Sequence, residues 1–188
     1  MPNLPLHTML DAAGLNQQHV FDLADLPADL LQPLSPRPAE NRLILFGHAG
    51  RRLWDCVQSE GMHGVHPIDD YSVRTVHAWL KQALPSASAR FVYPFGLPAG
   101  KHVGLQRLGR LAGWHHSAPF MVGVHASWGS WFAYRAAILM ESELPPSVAD
   151  DLGHPCLGCD SKACISACLG RALDTGSMHM AACHRQRL

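Results

Sequence analysis

Five cysteines lie close together in the last part of this 188-residue sequence, and thiolates are strong ligands for iron and zinc. The first four follow the spacing C-x2-C-x4-C-x3-C, and fourteen residues separate the fourth from the fifth. Thiolates this close on a glycine-containing loop can converge on one metal centre, because backbone N–H groups of the loop offset the charge of sulfur. The spacing therefore predicts a metal site. Its candidate ligands are Cys156, Cys159, Cys164, Cys168 and Cys183.

An iron–sulfur cluster is the metal centre that this pattern favours. Bacterial ferredoxins carry the run C-x2-C-x2-C-x3-C-P, which shares the first and last spacings with this sequence. A gap of four replaces the middle gap of two, and Leu169 stands where proline is usual. We expect one 4Fe-4S cluster with four thiolate ligands. Three of them are Cys156, Cys159 and Cys164, and the fourth is either Cys168 or Cys183.

Two alternatives to a cluster stay open. Four cysteines with C-x2-C at one end also suit tetrahedral zinc, although a zinc knuckle would have histidine at the position of Cys164. The second alternative is reduced thiols without a metal. The sixth cysteine, Cys56, lies far from the others in a predicted helix, and we interpret it as a small buried apolar residue.

The composition describes a globular protein and excludes several function classes. Hydrophobic residues make up 47% and charged residues 16%, so a disordered chain is excluded. The 15 basic and 15 acidic side chains cancel, which argues against a dedicated nucleic-acid binder. No apolar run approaches the roughly 18 to 20 residues that span a bilayer. The first ten residues lack the pattern of a secretory signal, so we expect a cytoplasmic protein without membrane or nucleic-acid partners.

Strands alternate with helices along the first 140 residues, which predicts an α+β or α/β layer structure. The segment 26–41, with four prolines, is interpreted as loop. Asp69 or Asp70 is expected to cap the longest helix, which ends before Pro85. Strands are predicted over 42–46, 90–93, 119–124 and 131–140, and helices over 6–15, 51–60, 73–84 and 103–112.

Three regions follow from these patterns. Residues 1–41 are an N-terminal helix and loop extension, and residues 42–148 form the α+β domain. The Pro145-Pro146 pair and Gly153 mark a boundary, after which cysteine spacing replaces hydrophobic periodicity. Residues 149–188 are therefore expected to form a separate cysteine segment.

A motif near the end of the α+β domain resembles a known family. The pattern H-x-x-[FW]-G-x-W-F-A-x-R spans His125 to Arg135 and is similar to a stretch of the cobalamin-processing proteins of the methylmalonic aciduria and homocystinuria type C family. The resemblance implies a nitroreductase- or flavin-reductase-like α+β sheet covered by helices. It also makes cobalamin a candidate cofactor, and proteins of this fold commonly form homodimers.

The combination of such a domain with a ferredoxin-like cysteine module resembles epoxyqueuosine reductase and the reductive dehalogenases. Those proteins combine a cobalamin with two clusters, whereas this sequence has one cysteine module. The resemblance implies electron transfer or reduction, with a soluble electron donor and a small-molecule or corrinoid ligand. Two other functions stay open: a non-catalytic corrinoid carrier or chaperone, and a zinc-stapled interaction module.

Four residues of the motif are candidate cofactor-binding residues: His125, Trp128, Trp131 and Arg135. His125 could face a corrin or be a core histidine that the backbone satisfies. The two tryptophans could line a macrocycle, although aromatic residues beside a strand more often belong to the core. Arg135 could contact an anionic ligand group or pair with a carboxylate such as Glu141 or Glu143.

Other histidines are less specific. His63 and His66, followed by the Asp69-Asp70 pair, could hold a divalent metal, but helix capping explains the aspartates. The pair His115-His116 is interpreted as lying on a surface loop. We find no nucleophile motif and no phosphate-binding loop in the sequence, so catalysis would depend on cofactors.

Overall fold

A four-stranded antiparallel sheet forms the centre of the protein, as seen in a computed structural model that describes residues 4–150, 152–175 and 178–187. The sheet order is β1-β2-β6-β3, and β4 and β5 form a separate short hairpin. The strands are β1 (Gln17–Asp22), β2 (Arg42–Ala49), β3 (Ala89–Tyr93), β4 (His116–Ser117), β5 (Gly123–Val124) and β6 (Phe132–Met140).

Helices cover both faces of this sheet. On one face, α1 (His7–Ala12), α3 (Arg52–Ser59) and α4 (Pro67–Ala83) pack on alternate residues of the strands. On the other face, α2 (Ala28–Leu34) and α5 (Leu105–Leu111) do the same. The two central strands are therefore apolar at consecutive positions, since both of their faces are buried. The α+β prediction is confirmed.

The cysteine segment contains two short helices, α6 (Ala163–Ser166) and α7 (Met180–Arg187). The backbone takes a left-handed conformation at Lys162 and at Arg171, where turns precede and follow the α6 region. His179 N donates to Ala172 O, and this bond ties the start of α7 to the turn after Cys168. The ferredoxin-like character of this segment stays a prediction.

The sheet begins earlier in the chain than the sequence predicts. β1 lies within the segment interpreted as a helix and loop extension, and it pairs with β2 along its whole length. Its polar residues at positions 17–19 break the alternation that would have identified it. The segment 26–41 is also not only loop, because α2 forms there and buries Leu30 and Leu34 against the sheet.

Two smaller predictions are wrong. The longest helix begins at Pro67 after His66, so Asp69 and Asp70 lie inside its first turn and do not cap it. They still favour the helix, because carboxylates are stabilising near the positive end of its dipole. Of the strand predicted over 119–124, only Gly123–Val124 forms. The other predicted strands and helices are confirmed, with ends that differ by a few residues.

The bulge in β6 shapes the candidate site. Phe46 of β2 pairs with Ala136, whereas the next residue, Gly47, pairs with Tyr134. Arg135 is therefore an extra residue without a partner on β2. A bulge of this kind redirects the side chain of the extra residue and increases the local twist.

A linker segment, residues 141–150, runs from β6 back across the outer edge of β1. Ser147 N donates to Val20 O, and Val20 N donates to Ser147 Oγ. Further along, Asp150 N donates to Ala112 O at the end of α5. The linker thus covers part of an edge strand whose backbone groups would otherwise be unpaired. Within the described residues, no helix has the length and apolarity to cross a bilayer.

Candidate functional site

A cavity of about 340 Å³ lies at the end of β6 where the bulge occurs, and we call it the Arg135 cavity. Its polar and aromatic lining residues come from β3, α5, β6 and the segment between α5 and β4. Met121 and Val122 also line it, and both side chains are more than half exposed. The polar and aromatic lining residues are Tyr93, Gln106, His115, Phe132, Tyr134 and Arg135.

Arg135 brings a positive charge into this cavity. Its Nε donates to His48 Nδ1 at 2.8 Å, and in the described part of the chain it forms no ion pair with a carboxylate. Burial lowers the pKa of Arg135, while Tyr93 and Asp69 partly oppose that effect. An arginine nevertheless stays protonated in proteins. The guanidinium is therefore available to an anionic group that enters the cavity.

His48 supports Arg135 as a neutral acceptor. A ring nitrogen that accepts from a guanidinium must be unprotonated. Burial and then the charge of Arg135 lower the pKa of His48 to about 4, so the ring is neutral at pH 7. The pair holds the guanidinium in place without cancelling its charge.

Acidification from pH 7 to pH 4 will lower the free energy of unfolding. Burial lowers the pKa values of His19 and His48 from 6.5 to about 4 in the folded chain. Between these values the unfolded chain binds more protons, so this stability is present above about pH 6.5 and is lost as the pH falls toward 4. Urea unfolding at several pH values across this range measures the change in the free energy of unfolding. The substitution His48→Gln should remove the part of the pH dependence that comes from His48. Equal stability at both ends would contradict the prediction.

Tyr134 and His115 form a second polar pair in the cavity. His115 Nδ1 and Tyr134 Oη are 3.0 Å apart, and the two rings stack with an interplanar angle of 14°. Burial lowers the pKa of His115 and raises the pKa of Tyr134, so both groups are neutral at pH 7 and share one hydrogen bond. The prediction of a surface position for His115 is wrong, because it is one of the buried polar residues.

Gly109 sets the position of the Tyr134 hydroxyl. A Cβ at this position of α5 would overlap that hydroxyl. Glycine to alanine usually stabilises a helix by about 1 kcal/mol, but here we expect Gly109→Ala to destabilise the fold by about 1–3 kcal/mol. Urea unfolding measures the change. The double variant Gly109→Ala/Tyr134→Phe should regain most of the loss, and equal losses in both variants would contradict this explanation.

His125 closes a tight hairpin next to the cavity. Its backbone pairs with Gly129 in both directions, and its ring lies 5.7 Å from the ring of Phe132. Ser127 N donates to His125 Nδ1, so the neutral ring carries its proton on Nε2. Only 3% of His125 is exposed, and the buried Nε2 has no hydrogen-bond partner among the described residues. The backbone thus satisfies one ring nitrogen, whereas the other is a donor that a ligand could use.

The two tryptophans of the motif lie on the surface. Trp128 is 44% exposed and covers Gly50, and Trp131 is 73% exposed. The interpretation of these residues as core is therefore wrong. Both tryptophans belong to the hairpin and lie outside the sheet. Gly50 N donates to Trp131 O, so the backbone of Trp131 is fixed while its side chain extends into solvent. Neither tryptophan lines the Arg135 cavity, so of the four candidates only Arg135 lies in it.

The candidate cluster ligands are partly exposed free thiols. Burial raises the pKa of Cys156, and the nearby Cys164 and Cys159 raise it further, so these three thiols lie close enough to interact. Within the described residues, however, no three metal-ligating side chains form a group that could hold a metal ion. The same holds for His63, His66 and the two aspartates after them.

The fourth ligand stays open between Cys168 and Cys183. Both residues are half-buried. Cys168 lies in the turn after α6, and α7 brings Cys183 back toward that turn through the bond from His179 to Ala172. Gly170 lies against Ala182 O and Gln186 of α7, which permits this close approach.

Sequence reasoning did not identify Tyr93, Gln106, His115 or Tyr134 as site residues. The bulge that brings Arg135 and Tyr134 to one cavity leaves no signal in the residue pattern. The motif allows any residue at position 134, so it does not identify Tyr134. Only the position of Tyr134 next to Arg135 in the sequence could have indicated it. Cys56 packs against the edge of the core with its thiol 3.6 Å from Ala12 O, and it is half-buried where full burial was expected.

Comparison with known proteins gives a fold but no family. No protein-family model and no curated protein sequence matches this chain. In the solved structures, the epoxyqueuosine reductase of Bacillus subtilis is 16% identical with a TM-score of 0.56, over 94% of this chain and 55% of that one. An epoxyqueuosine reductase bound to an epoxyqueuosine-modified tRNA-Tyr stem loop is 15% identical with a TM-score of 0.58, again over 94% of this chain and 55% of that one. The B12-trafficking protein CblC of C. elegans is 11% identical with a TM-score of 0.48, over 85% of this chain and 77% of that one.

These matches confirm the resemblance to epoxyqueuosine reductase at the level of the fold. The chain spans about half the length of the epoxyqueuosine reductases that it matches. Because one of those structures holds a tRNA stem loop, the expectation that this chain binds no nucleic acid stays a prediction. The chain is thus similar in fold to epoxyqueuosine reductase, and its cavity holds an arginine that forms no ion pair with a carboxylate of the described residues.

Proposed function

We propose that this chain is an iron–sulfur protein that passes electrons to a corrinoid bound over the Arg135 cavity. The observation that carries the proposal is the guanidinium of Arg135, which lies in a cavity without a carboxylate partner among the described residues. A partly buried charge without a salt bridge favours an anionic ligand that pairs with it. The fold similarity to epoxyqueuosine reductase supports a reductive role.

The surface around the cavity suits a large flat ligand. A cavity of about 340 Å³ is smaller than a corrin macrocycle with its side arms, so such a ligand would lie mostly outside it. Met121, Val122 and Trp131 are exposed apolar side chains on the same segment, and exposed apolar surface of this kind marks binding sites. Arg135 would bind an anionic arm, and His125 Nε2 could donate to an acceptor on it.

The cysteine segment fits a cluster by its donor set. Five free thiols lie between Cys156 and Cys183, and three of them interact electrostatically. Cys156, Cys159 and Cys164 would hold the cluster together with Cys168 or Cys183, once the side chains of this segment bring the sulfurs together. A bound cluster supplies one-electron transfer. The backbone is left-handed at Lys162 and at Arg171, which lie on either side of Cys164 and Cys168.

The cysteine segment and the Arg135 cavity would have different roles. The cysteine segment would accept electrons from a soluble donor, and the residues around Arg135 would bind and orient the ligand. The aromatic side chains of the hairpin would exclude water from one face of it. The chain itself need supply no nucleophile.

The experiment is anaerobic mixing of reduced, desalted protein with hydroxocobalamin. We expect a base-off change in the cobalamin spectrum on binding and the transfer of about one electron per chain, which oxidises the cluster and reduces cobalt. Cys159→Ser is the control that binds cobalamin without transferring electrons. Binding without transfer by the wild-type chain would support a carrier instead, and neither binding nor transfer would contradict the proposal.

A further inference from the structure

A second cavity, of about 130 Å³, lies between the outer edge of β1 and the linker segment. We call it the linker cavity, and Gln18, His19, Trp114, Ser147 and Asp150 line it. It shares no lining residue with the Arg135 cavity, although Asp150 also acts electrostatically on His125. Its volume is far above the roughly 10–15 Å³ that one water molecule needs. The cavity has room for a small organic molecule.

The edge of β1 offers backbone hydrogen bonds to this cavity. Val20 bonds to Ser147 of the linker through both its N–H and its C=O, so Val20 faces away from β2. In an antiparallel pair the backbone groups alternate in direction, and Gln18 therefore faces the same way. The linker covers Val20 but leaves the N–H and C=O of Gln18 facing the cavity. In the part of the chain that is described, the buried side-chain Oε1 of Gln18 also lacks a hydrogen-bond partner.

His19 supplies a buried polar side chain with unused capacity. Only 5% of it is exposed, and its ring lies edge-on to Trp114 with the centroids 6.1 Å apart. In the described ranges, neither of its ring nitrogens has a hydrogen-bond partner. Burial holds the pKa of His19 at about 4, so at pH 7 the ring is neutral and has one acceptor nitrogen. The acceptor nitrogen is therefore available to an N–H group of a ligand in the cavity.

Asp150 gives the cavity a negative charge. Its carboxylate is close enough to His19 to raise the pKa of that ring against the effect of burial. No cationic side chain of the described residues forms an ion pair with it. The cavity is therefore lined by hydrogen-bond acceptors, by the exposed residue Asp150 and by the ring of Trp114. Planar cations with N–H donors satisfy such a set, because they bind carboxylates and pack on aromatic rings.

We propose that the linker cavity binds the guanidinium or amidinium group of a small molecule. Its N–H groups would donate to Asp150, to Gln18 O and to the ring of His19, with Trp114 as the apolar wall. A bound cation would also link the linker segment to β1.

Methylguanidinium chloride is the probe, added to the full chain at pH 7 while the Trp114 indole N–H signal is followed by NMR. We expect saturable binding with a Kd below about 10 mM. Asp150→Asn should raise that Kd by about fivefold to tenfold, because it removes the charge and keeps the shape. Glu143→Gln, which removes an exposed charge from the same linker, should leave the Kd unchanged.

Three results would overturn the proposal. The first is no saturation, which would mean that the cavity holds water only. The second is equal binding of N-methylurea, which has a similar shape without the charge. The third is an equal effect of Asp150→Asn and Glu143→Gln, which would show that the probe responds to the overall charge of the linker.

Discussion

Replacing Cys159 with serine will lower the iron retained by anaerobically purified protein by more than about tenfold, since even losing a neighbour of a metal ligand weakens binding 10–100-fold. Cys159 begins the C-x4-C gap that separates this sequence from the ferredoxin run, and its thiol interacts with that of Cys156. Iron and acid-labile sulfide analysis measures the effect, together with the absorbance that dithionite bleaches.

Cys56→Ser is the matched control for this prediction. Cys56 packs at the edge of the helix-covered face, far from the cysteine segment in the sequence, and its thiol lies near Ala12 O and the hydroxyl of Tyr71. The Cys56→Ser variant should therefore retain as much iron as the wild-type protein. Comparing Cys168→Ser with Cys183→Ser then identifies the fourth ligand. Equal iron in wild type and in Cys159→Ser would show that this thiol is not a ligand.

Replacing Arg135 with methionine will weaken cobalamin binding by about 10- to 100-fold, the usual value of a hydrogen-bonded charge. The guanidinium has no carboxylate partner among the described residues, so a phosphate in the cobalamin tail can pair with it. Cobinamide, which lacks that phosphate, should bind wild type and Arg135→Met alike. Absorbance titrations with both ligands measure the difference.

Stability separates a binding role of Arg135 from a structural role. Because its charge is largely buried and unpaired, Arg135→Met should leave the Tm unchanged or raise it. Arg51→Met, at an exposed arginine at the start of α3, is the control and should not change either affinity. A large fall in the Tm, or an equal loss of cobalamin and cobinamide binding, would contradict a contact between Arg135 and the phosphate.

The central strands could be predicted because burial on both faces makes them continuously apolar. β2 and β6 have this pattern, and both are found where the sequence places them. β1 was missed because the polar residues Gln17, Gln18 and His19 interrupt its apolar pattern. At an edge strand the linker segment and neighbouring side chains accommodate such residues, and this depends on contacts distant in the sequence.

The candidate site was less predictable than the sheet. The motif identified Arg135, but its place in a cavity comes from a one-residue shift between β2 and β6. The pairing of Tyr134 with His115 depends on the absence of a side chain at Gly109. This role of the glycine is visible only in the folded structure, where α5 packs against β6. Cysteine spacing identified a donor set, but spacing alone does not determine where the sulfurs lie.

Metal analysis of protein purified without oxygen tests the presence of a cluster most directly. We expect a brown protein with about four iron and four sulfide per chain, and a broad visible absorbance that dithionite bleaches. A colourless protein with one tightly bound zinc per chain would contradict the proposed electron transfer, because thiolate-bound zinc is redox-inert.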